Sequence, residues 1–320
     1  MEDISQRIYE CGIVPVVKLE EAELAARLAR TLMAGGIRCI EVTFRTKAAS
    51  QAIENIIREC PDMLVGAGTV LTKEQVDEAV NAGARFIVTP GFNRKIAAYC
   101  LEKEVSIFPG CNNPAVIEEA LEMGITDLKF FPAEQSGGLP MIKALSAPYS
   151  RVRFMPTGGV NENNMNEYLA NEKVLACGGT WMVKETLIKN RQFDEIEYLT
   201  RNAVKKMHGF ELRHIGINCA DEKEAVQRAG VVAELFGLEV KVGNSSVFAG
   251  QAFEMMKKEG CGEHGHICMA VNRLDRAYAH FKQKGIAFDE ESKKLDEKGK
   301  MKVINFKEPI GGFVLQMINK

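Results

Sequence analysis

The chain has 320 residues, of which 46% are hydrophobic and 26% charged, with a formal net charge of −2. That length holds a barrel-sized domain plus a smaller partner. The near-neutral balance gives no electrostatic reason to expect nucleic acid or an anionic membrane surface as a partner, and no apolar run reaches the roughly 18–20 residues of a membrane span.

The N-terminus, MEDISQRIYE, carries charge from its second residue and lacks the apolar centre of a signal peptide. The nine cysteines are odd in number and form no CxxC pair. Most lie in apolar runs, which suits buried thiols in a reducing compartment better than a disulfide framework. The expectation is a cytoplasmic protein.

From residue 13 to about 180, eight short apolar runs alternate with helix-period segments. The runs are IVPVV (13–17), CIEVTF (39–44), LVGAG (64–68), FIVTP (86–90), SIFPG (106–110), DLKFF (127–131), RFMPT (153–157) and VLACG (174–178). Segments between them, such as EAELAARLARTLMAGG, are rich in helix formers and close on glycine. Nearly all-apolar strands alternating with helices argue for a parallel sheet covered by helices. Eight such units in under 200 residues fit a (β/α)8 TIM barrel, with a doubly wound open sheet as the alternative.

DEIEYLTRNAVKKMHG (194–209) reads as one more helix, and the texture then changes. HIGINC (214–219), a helical AVQRAGVVAELFG (225–237) and the short strands LEVKVG, SVFAG and QAFEMM make one pass. HGHICMAV (264–271), the helix LDRAYAHFKQKG (274–285), IAFDE, MKVINFK and GGFVLQMI make a second. Two βαβββ passes of similar length suggest an internal duplication and a smaller α+β domain. The domains expected are 1–208 and 210–320. The lysine-rich SKKLDEKGKMK (292–302) reads as a solvated loop or hairpin.

In a barrel of this kind, chemistry sits at the C-terminal ends of the strands. Gathered there are Glu41 and Arg45, Thr69, Pro90, Pro109, Lys129 with Phe131, Thr157-Gly158-Gly159 and Gly178-Gly179-Thr180. Lys129 lies inside the apolar run DLKFFPAE. Burying an ammonium is costly and favours the neutral amine, which is the nucleophile for a carbonyl carbon. The competing reading makes Lys129 a snorkelling or ion-paired structural residue, and Lys18 is a second candidate nucleophile. Glu41, mid-strand, suits a general base if it faces inward, or else an ion pair with Arg45 or Lys129. Arg45 shares strand parity with Glu41, and its planar guanidinium suits the carboxylate of a 2-oxo acid. Gly158-Gly159 and Gly178-Gly179, expected to follow strands seven and eight, let backbone N–H groups approach a phosphate, with Asn161–Asn164 supplying a helix N-cap.

The segments IEVTFRT (40–46), VGAGTV (65–70), FIVTPGF (86–92), LKFFPAE (128–134), MPTGGV (155–160) and VLACGGTWM (174–182) run in order over nearly all of residues 1–190. Through them this part of the chain resembles the 2-keto-3-deoxy-6-phosphogluconate and 4-hydroxy-2-oxoglutarate aldolases. The resemblance implies a Schiff base on Lys129 and proton transfers by Glu41. It gives the pyruvate carboxylate to Arg45 and Thr69, the pocket walls to Pro90 and Phe131, and the phosphate to Gly158, Gly159, Gly179 and Thr180. It implies no cofactor for this domain, small 2-oxo acid and aldehyde substrates, and a homo-oligomer, with a trimer favoured. Thr180 stands where serine is usual, and PGCNNPAVIEE departs from the usual loop after strand five.

HIGINC, AELFGLEV, GHICMAV and GGFVLQMI are similar to the glyoxalase/bleomycin-resistance/dioxygenase group, the vicinal-oxygen-chelate proteins. That resemblance implies a divalent metal on His214, Glu254, His266 and Gln316, with glutamine where glutamate is commonest and His264 as a rival ligand. The leading expectation is a pyruvate-forming carbon–carbon lyase with an accessory domain. The alternatives are a phosphosugar-binding regulator and a bifunctional enzyme with a glyoxalase-like second activity.

Overall fold

The structure is a computed structural model describing residues 3–320. The chain divides into two compact units, Met1–Met207 and His208–Lys320.

The first unit contains eight strands: β1 Ile13–Val17, β2 Cys39–Thr43, β3 Leu64–Gly68, β4 Phe86–Val88, β5 Ser106–Phe108, β6 Asp127–Phe130, β7 Arg153–Pro156 and β8 Cys177–Gly179. All their pairings are parallel, and helices connect successive strands. β1 pairs with both β2 and β8, which an open doubly wound sheet does not do. Parallel bridges at Gly110↔Lys129 and Thr157↔Gly178 link β5 to β6 and β7 to β8, carrying the pairing around a ring.

Side chains fill the interior of the ring. Phe86 and Phe108 meet edge to face at 5.7 Å and pack with Val14, Leu64, Val88 and Met155. Ile4 and Ile8 of the N-terminal helix Ile4–Cys11 join this cluster. A Cβ built on Gly66 would lie 2.1 Å from the Phe86 ring, so glycine there is what admits the phenyl group. The helices cover the outer face of the ring with a larger apolar cluster of Ile, Leu, Val and Ala.

β8 departs from the sequence expectation of 174–178. Val174 makes only an isolated bridge to Phe154, and the ladder to β1 starts at Cys177. Gly178 and Gly179 therefore lie within the strand, not in the loop after it. Their lack of side chains has a packing cause: a Cβ on Gly178 would meet Thr157 Oγ1 at 2.3 Å, and one on Gly179 would overlap the Trp181 ring.

The second unit is a sheet of eight strands with two helices. It runs strand, helix and three strands, twice over. The first pass is β9 Glu211–Asn218, the helix Glu222–Phe236, β10 Val240–Val242, β11 Ser246–Ala249 and β12 Phe253–Met256. The second is β13 Gly265–Val271, the helix Leu274–Gln283, β14 Phe288–Leu295, β15 Met301–Phe306 and β16 Phe313–Asn319. The sheet order is β10-β11-β12-β9-β13-β16-β15-β14. Each helix covers its own apolar cluster, Ala225, Ala229 and Ala233 on Val247 and Met255, and Leu274 and Ala277 on Ile304 and Met317. The opposite face carries Glu254 and His266 alongside Phe248 and Val314. β14 runs on to Leu295, so the lysine-rich segment is a hairpin whose turn spans Asp296–Lys300.

Candidate functional sites

Lys129 sits on β6 with its side chain only 6% exposed, and Glu41 on β2 is fully buried. Lys129 Nζ lies 3.3 Å from Glu41 Oε1. The other carboxylate oxygen, Oε2, is buried and has no hydrogen-bond partner among the described residues. A buried, unpartnered carboxylate oxygen beside a buried amine is costly as architecture alone, which marks this pair as a place built for something else. Gly68 on β3 makes the space: a Cβ there would come within 2.1 Å of Glu41 Oε1. Sequence reasoning assigned Gly68 no role, although glycines at i and i+2 of a buried strand are a signal of close approach.

Phe131 covers Lys129, its ring centroid 5.4 Å from Nζ, and joins Pro132 through a cis peptide bond. Lys129 N–H donates to Pro109 O at 2.9 Å, and the adjoining Gly110 leaves room for the carbonyl of Pro90. Arg45 lies beyond the end of β2 in a turn and is exposed, so strand parity does not govern where it points. Its Nε donates to Thr69 Oγ1 at 3.2 Å, with Thr69 held at φ 56° at the end of β3.

Gly158 and Gly159 follow β7 with φ of 95° and 83°, conformations that favour glycine. Asn161 and Asn164 both donate to the Gly159 carbonyl. Asn164 stands at the N-cap of the helix Met165–Leu169 but makes no side-chain cap bond; its Oδ1 accepts from Asn161 N–H instead. The asparagines fix the glycine turn and leave the helix end uncapped. Thr180 shares a cavity of about 320 Å³ with Lys18, Thr43 and Arg45. Lys18 is ion-paired to Glu20 at 2.8 Å and to Glu185 at 3.3 Å, both raising its pKa, so it is a poor candidate for a neutral amine.

Residues 4–199 match the family described as KDPG and KHG aldolase. This chain belongs to that family. A 2-dehydro-3-deoxy-phosphogluconate aldolase of Treponema pallidum is 50% identical over 205 residues, 64% of this chain and 98% of the relative. A KHG/KDPG aldolase of Escherichia coli is 39% identical over 193 residues, 60% and 91% of the two chains. Among solved structures, the KDPG aldolase of Legionella pneumophila with pyruvate captured as a covalent carbinolamine superposes with a TM-score of 0.61 at 40% identity, covering 63% of this chain and 98% of that one. The family match ends at residue 199, and the second unit lies beyond it.

That unit holds a second cluster. In the sheet register Lys241, Phe248, Glu254, Gly216, His266 and Val314 lie across from one another in one row, so they share a face. A Cβ on Gly216 would lie 2.1 Å from the His266 ring; glycine lets that ring lean toward His214. His214 Nε2 is 3.1 Å from Glu254 Oε2 and 3.0 Å from His266 Nε2, while His266 Nε2 is 3.4 Å from Glu254. Ser246 Oγ donates to the other oxygen of Glu254 at 2.6 Å. The donor atoms of His214, Glu254 and His266 all lie within 4.8 Å of one another, and imidazoles with a carboxylate suit a divalent transition metal.

Gln316 lines a cavity of about 440 Å³ with His266, but its Nε2 donates to Asn305 Oδ1 at 3.1 Å. His264 lies outside the cluster, packed against Phe313. Burial pushes Glu254 up, but its bonds from His214, His266 and Ser246 outweigh this and hold it well below the usual carboxylate range. Among the described residues no helix is long and apolar enough to cross a membrane.

Proposed function

We propose that residues 1–208 are a complete (β/α)8 TIM barrel that works as a class I aldolase. Its substrate is 2-keto-3-deoxy-6-phosphogluconate, cleaved to pyruvate and glyceraldehyde 3-phosphate, and/or 4-hydroxy-2-oxoglutarate, cleaved to pyruvate and glyoxylate. The observation carrying this reading is the buried Lys129–Glu41 pair with its free carboxylate oxygen.

In this reading Lys129 Nζ attacks the C2 ketone, and loss of water gives an iminium. Glu41 Oε2, through a water, takes the proton of the C4 hydroxyl. The C3–C4 bond breaks, its electron pair flowing into the iminium to leave an enamine of pyruvate while C4 departs as the aldehyde. Protonation of the enamine at C3 and hydrolysis of the imine release pyruvate and regenerate the amine. The iminium is the electron sink, so these steps call for no cofactor. Arg45, with Thr69, holds the carboxylate by charge-assisted hydrogen bonds. Pro90 and Phe131 shape the pocket, and Gly158, Gly159, Gly179 and Thr180 take the phosphate. A homotrimer is the assembly carried with this reading.

The test is pyruvate release from each substrate with the purified full chain. Saturable release from at least one is the expected outcome; none from either, with the fold intact, contradicts the substrate assignment.

Residues 210–320 we read as two βαβββ modules of glyoxalase-like, vicinal-oxygen-chelate type. The convergence of His214, Glu254 and His266 supports a divalent metal held by those three, with Gln316 as a fourth ligand once its amide turns from Asn305. A bound metal would supply Lewis-acid chemistry. Ser246 would orient the Glu254 carboxylate. Stoichiometric metal in the purified chain, lost in a His214→Ala, His266→Ala double variant, is the expected result. Equal metal content in both proteins sinks this reading.

A further inference from the structure

Two cavities of opposite character touch the metal-type cluster of the second unit, one at His266 and the other at His214. One, of about 440 Å³, is lined by Asp289 and Glu291 with a single lysine, Lys294. The other, of about 540 Å³, is lined by Arg213, His214, Lys241, Gly243, Phe248, Gly250, Gln251 and Ile318. It has two cations, an amide and one aromatic wall, and no acidic side chain. Its volume is that of a small-molecule site.

Arg213 reaches this cavity by a local irregularity. In a regular strand, neighbouring residues point to opposite faces, so Arg213 and His214 could not both line it. The pairing of β9 with β13 slips here: Cys268 faces His214 and Met269 faces Leu212, leaving Arg213 as the extra residue of a β-bulge. Bulges re-aim side chains, and they concentrate beside functional sites. Lys241 arrives from the other side by register, directly across from Phe248, which in turn lies across from Glu254.

Neither cation is engaged in an ion pair among the described residues. Of the acids around the cavity, Glu211 is paired to Lys320 at 2.9 Å and Glu254 is bonded to the two histidines and Ser246, and none of them lines it. A guanidinium and an ammonium, neither closed into a direct ion pair among the described residues, at the rim of one cavity create a field that an anion completes, although Glu211 feels part of the Arg213 charge.

We infer that this cavity binds a small metabolite carrying a carboxylate or phosphate, gripped by Arg213 and Lys241, with its body against Phe248 and its inner end beside His214. The site rests on the cavity and its cations and stands whether or not the three-residue cluster holds metal. It gives the second unit a ligand of the same anionic class as those assigned to the barrel.

Ile318 lines the cavity and supplies a local reporter. The full chain, labelled with carbon-13 at isoleucine methyls, is titrated with pyruvate and, separately, inorganic phosphate, both after EDTA treatment and with Zn²⁺ added. The Ile318 resonance is assigned with Ile318→Val. The expected result is a saturable movement of that methyl with at least one probe. Response to pyruvate alone identifies a carboxylate site, to phosphate alone a phosphate site, and to both a general oxyanion site. The apparent affinity falls at least about tenfold in Arg213→Ala, Lys241→Ala, with part of the loss restored in Arg213→Lys, Lys241→Arg. Both residues are exposed, so the variants keep the fold, which unchanged methyl resonances of the second unit's isoleucines away from the cavity verify. No movement with either probe, or movement unchanged in the double alanine variant, overturns the inference. Zn²⁺ content measured on the same samples judges the metal reading separately.

Discussion

The two units each bring charged groups into a sheet interior, but in different ways. In the barrel, one amine and one carboxylate meet 3.3 Å apart, with the carboxylate fully buried and one of its oxygens without a partner among the described residues. In the second unit, two imidazoles converge on one carboxylate whose other oxygen accepts from Ser246. The first arrangement leaves a buried atom unsatisfied and fits bond-making at Lys129. The second satisfies its carboxylate fully and presents donors toward one point, which fits holding a cation. Both depend on a glycine one strand over, Gly68 for Glu41 and Gly216 for His266.

The largest effect expected on this contrast comes from Glu41→Gln, which keeps the shape but removes the base. Pyruvate release should fall about 10²–10⁴-fold. A fall of less than tenfold would make Glu41 an ion-pair partner only and erase the difference between the sites.

Next comes Gly68→Ala. Its methyl cannot fit unless the Glu41 side chain shifts from its place beside Lys129. A loss of about 1–3 kcal/mol in urea unfolding is expected from the overpacking, with a drop in turnover larger than any change in KM. Wild-type turnover would show that the close approach does not matter for chemistry.

The smallest effect concerns stability. His208, buried in the second unit, is pushed down to about 3, first by burial and then by the charges of His280, Arg276 and Lys284. Its ordinary value is 6.5, so between these limits the unfolded chain binds more protons than the folded one. Stability conferred by the neutral ring is present above about pH 6.5 and is lost as pH falls through the window, at up to about 1.4 kcal/mol per pH unit. Urea unfolding at about pH 7 and about pH 5 should show this slope, and His208→Gln should flatten it. An unchanged slope in the variant would assign the acid sensitivity to other groups.

Much of this was legible in the sequence. The apolar runs located β1 to β7 because strands buried on both faces have little freedom in composition. β8 was placed three residues early, since VLAC is as apolar as a strand but the ladder to β1 begins only at Cys177. Lys129 stood out as a charge in an apolar run, and its approach to Glu41 is a long-range fact no spacing reveals. Arg45 was placed by strand parity, which fails once the strand has ended at Thr43. The bulge at Arg213 was invisible too, because it depends on how two distant strands align.

The central claim is that Lys129 is the nucleophile. Borohydride reduction of the full chain in the presence of pyruvate, followed by peptide mass mapping, tests it most directly. The account predicts one reduced pyruvate adduct per chain, on Lys129, and none in Lys129→Ala. An adduct on another lysine, or none at all in folded protein, would contradict it.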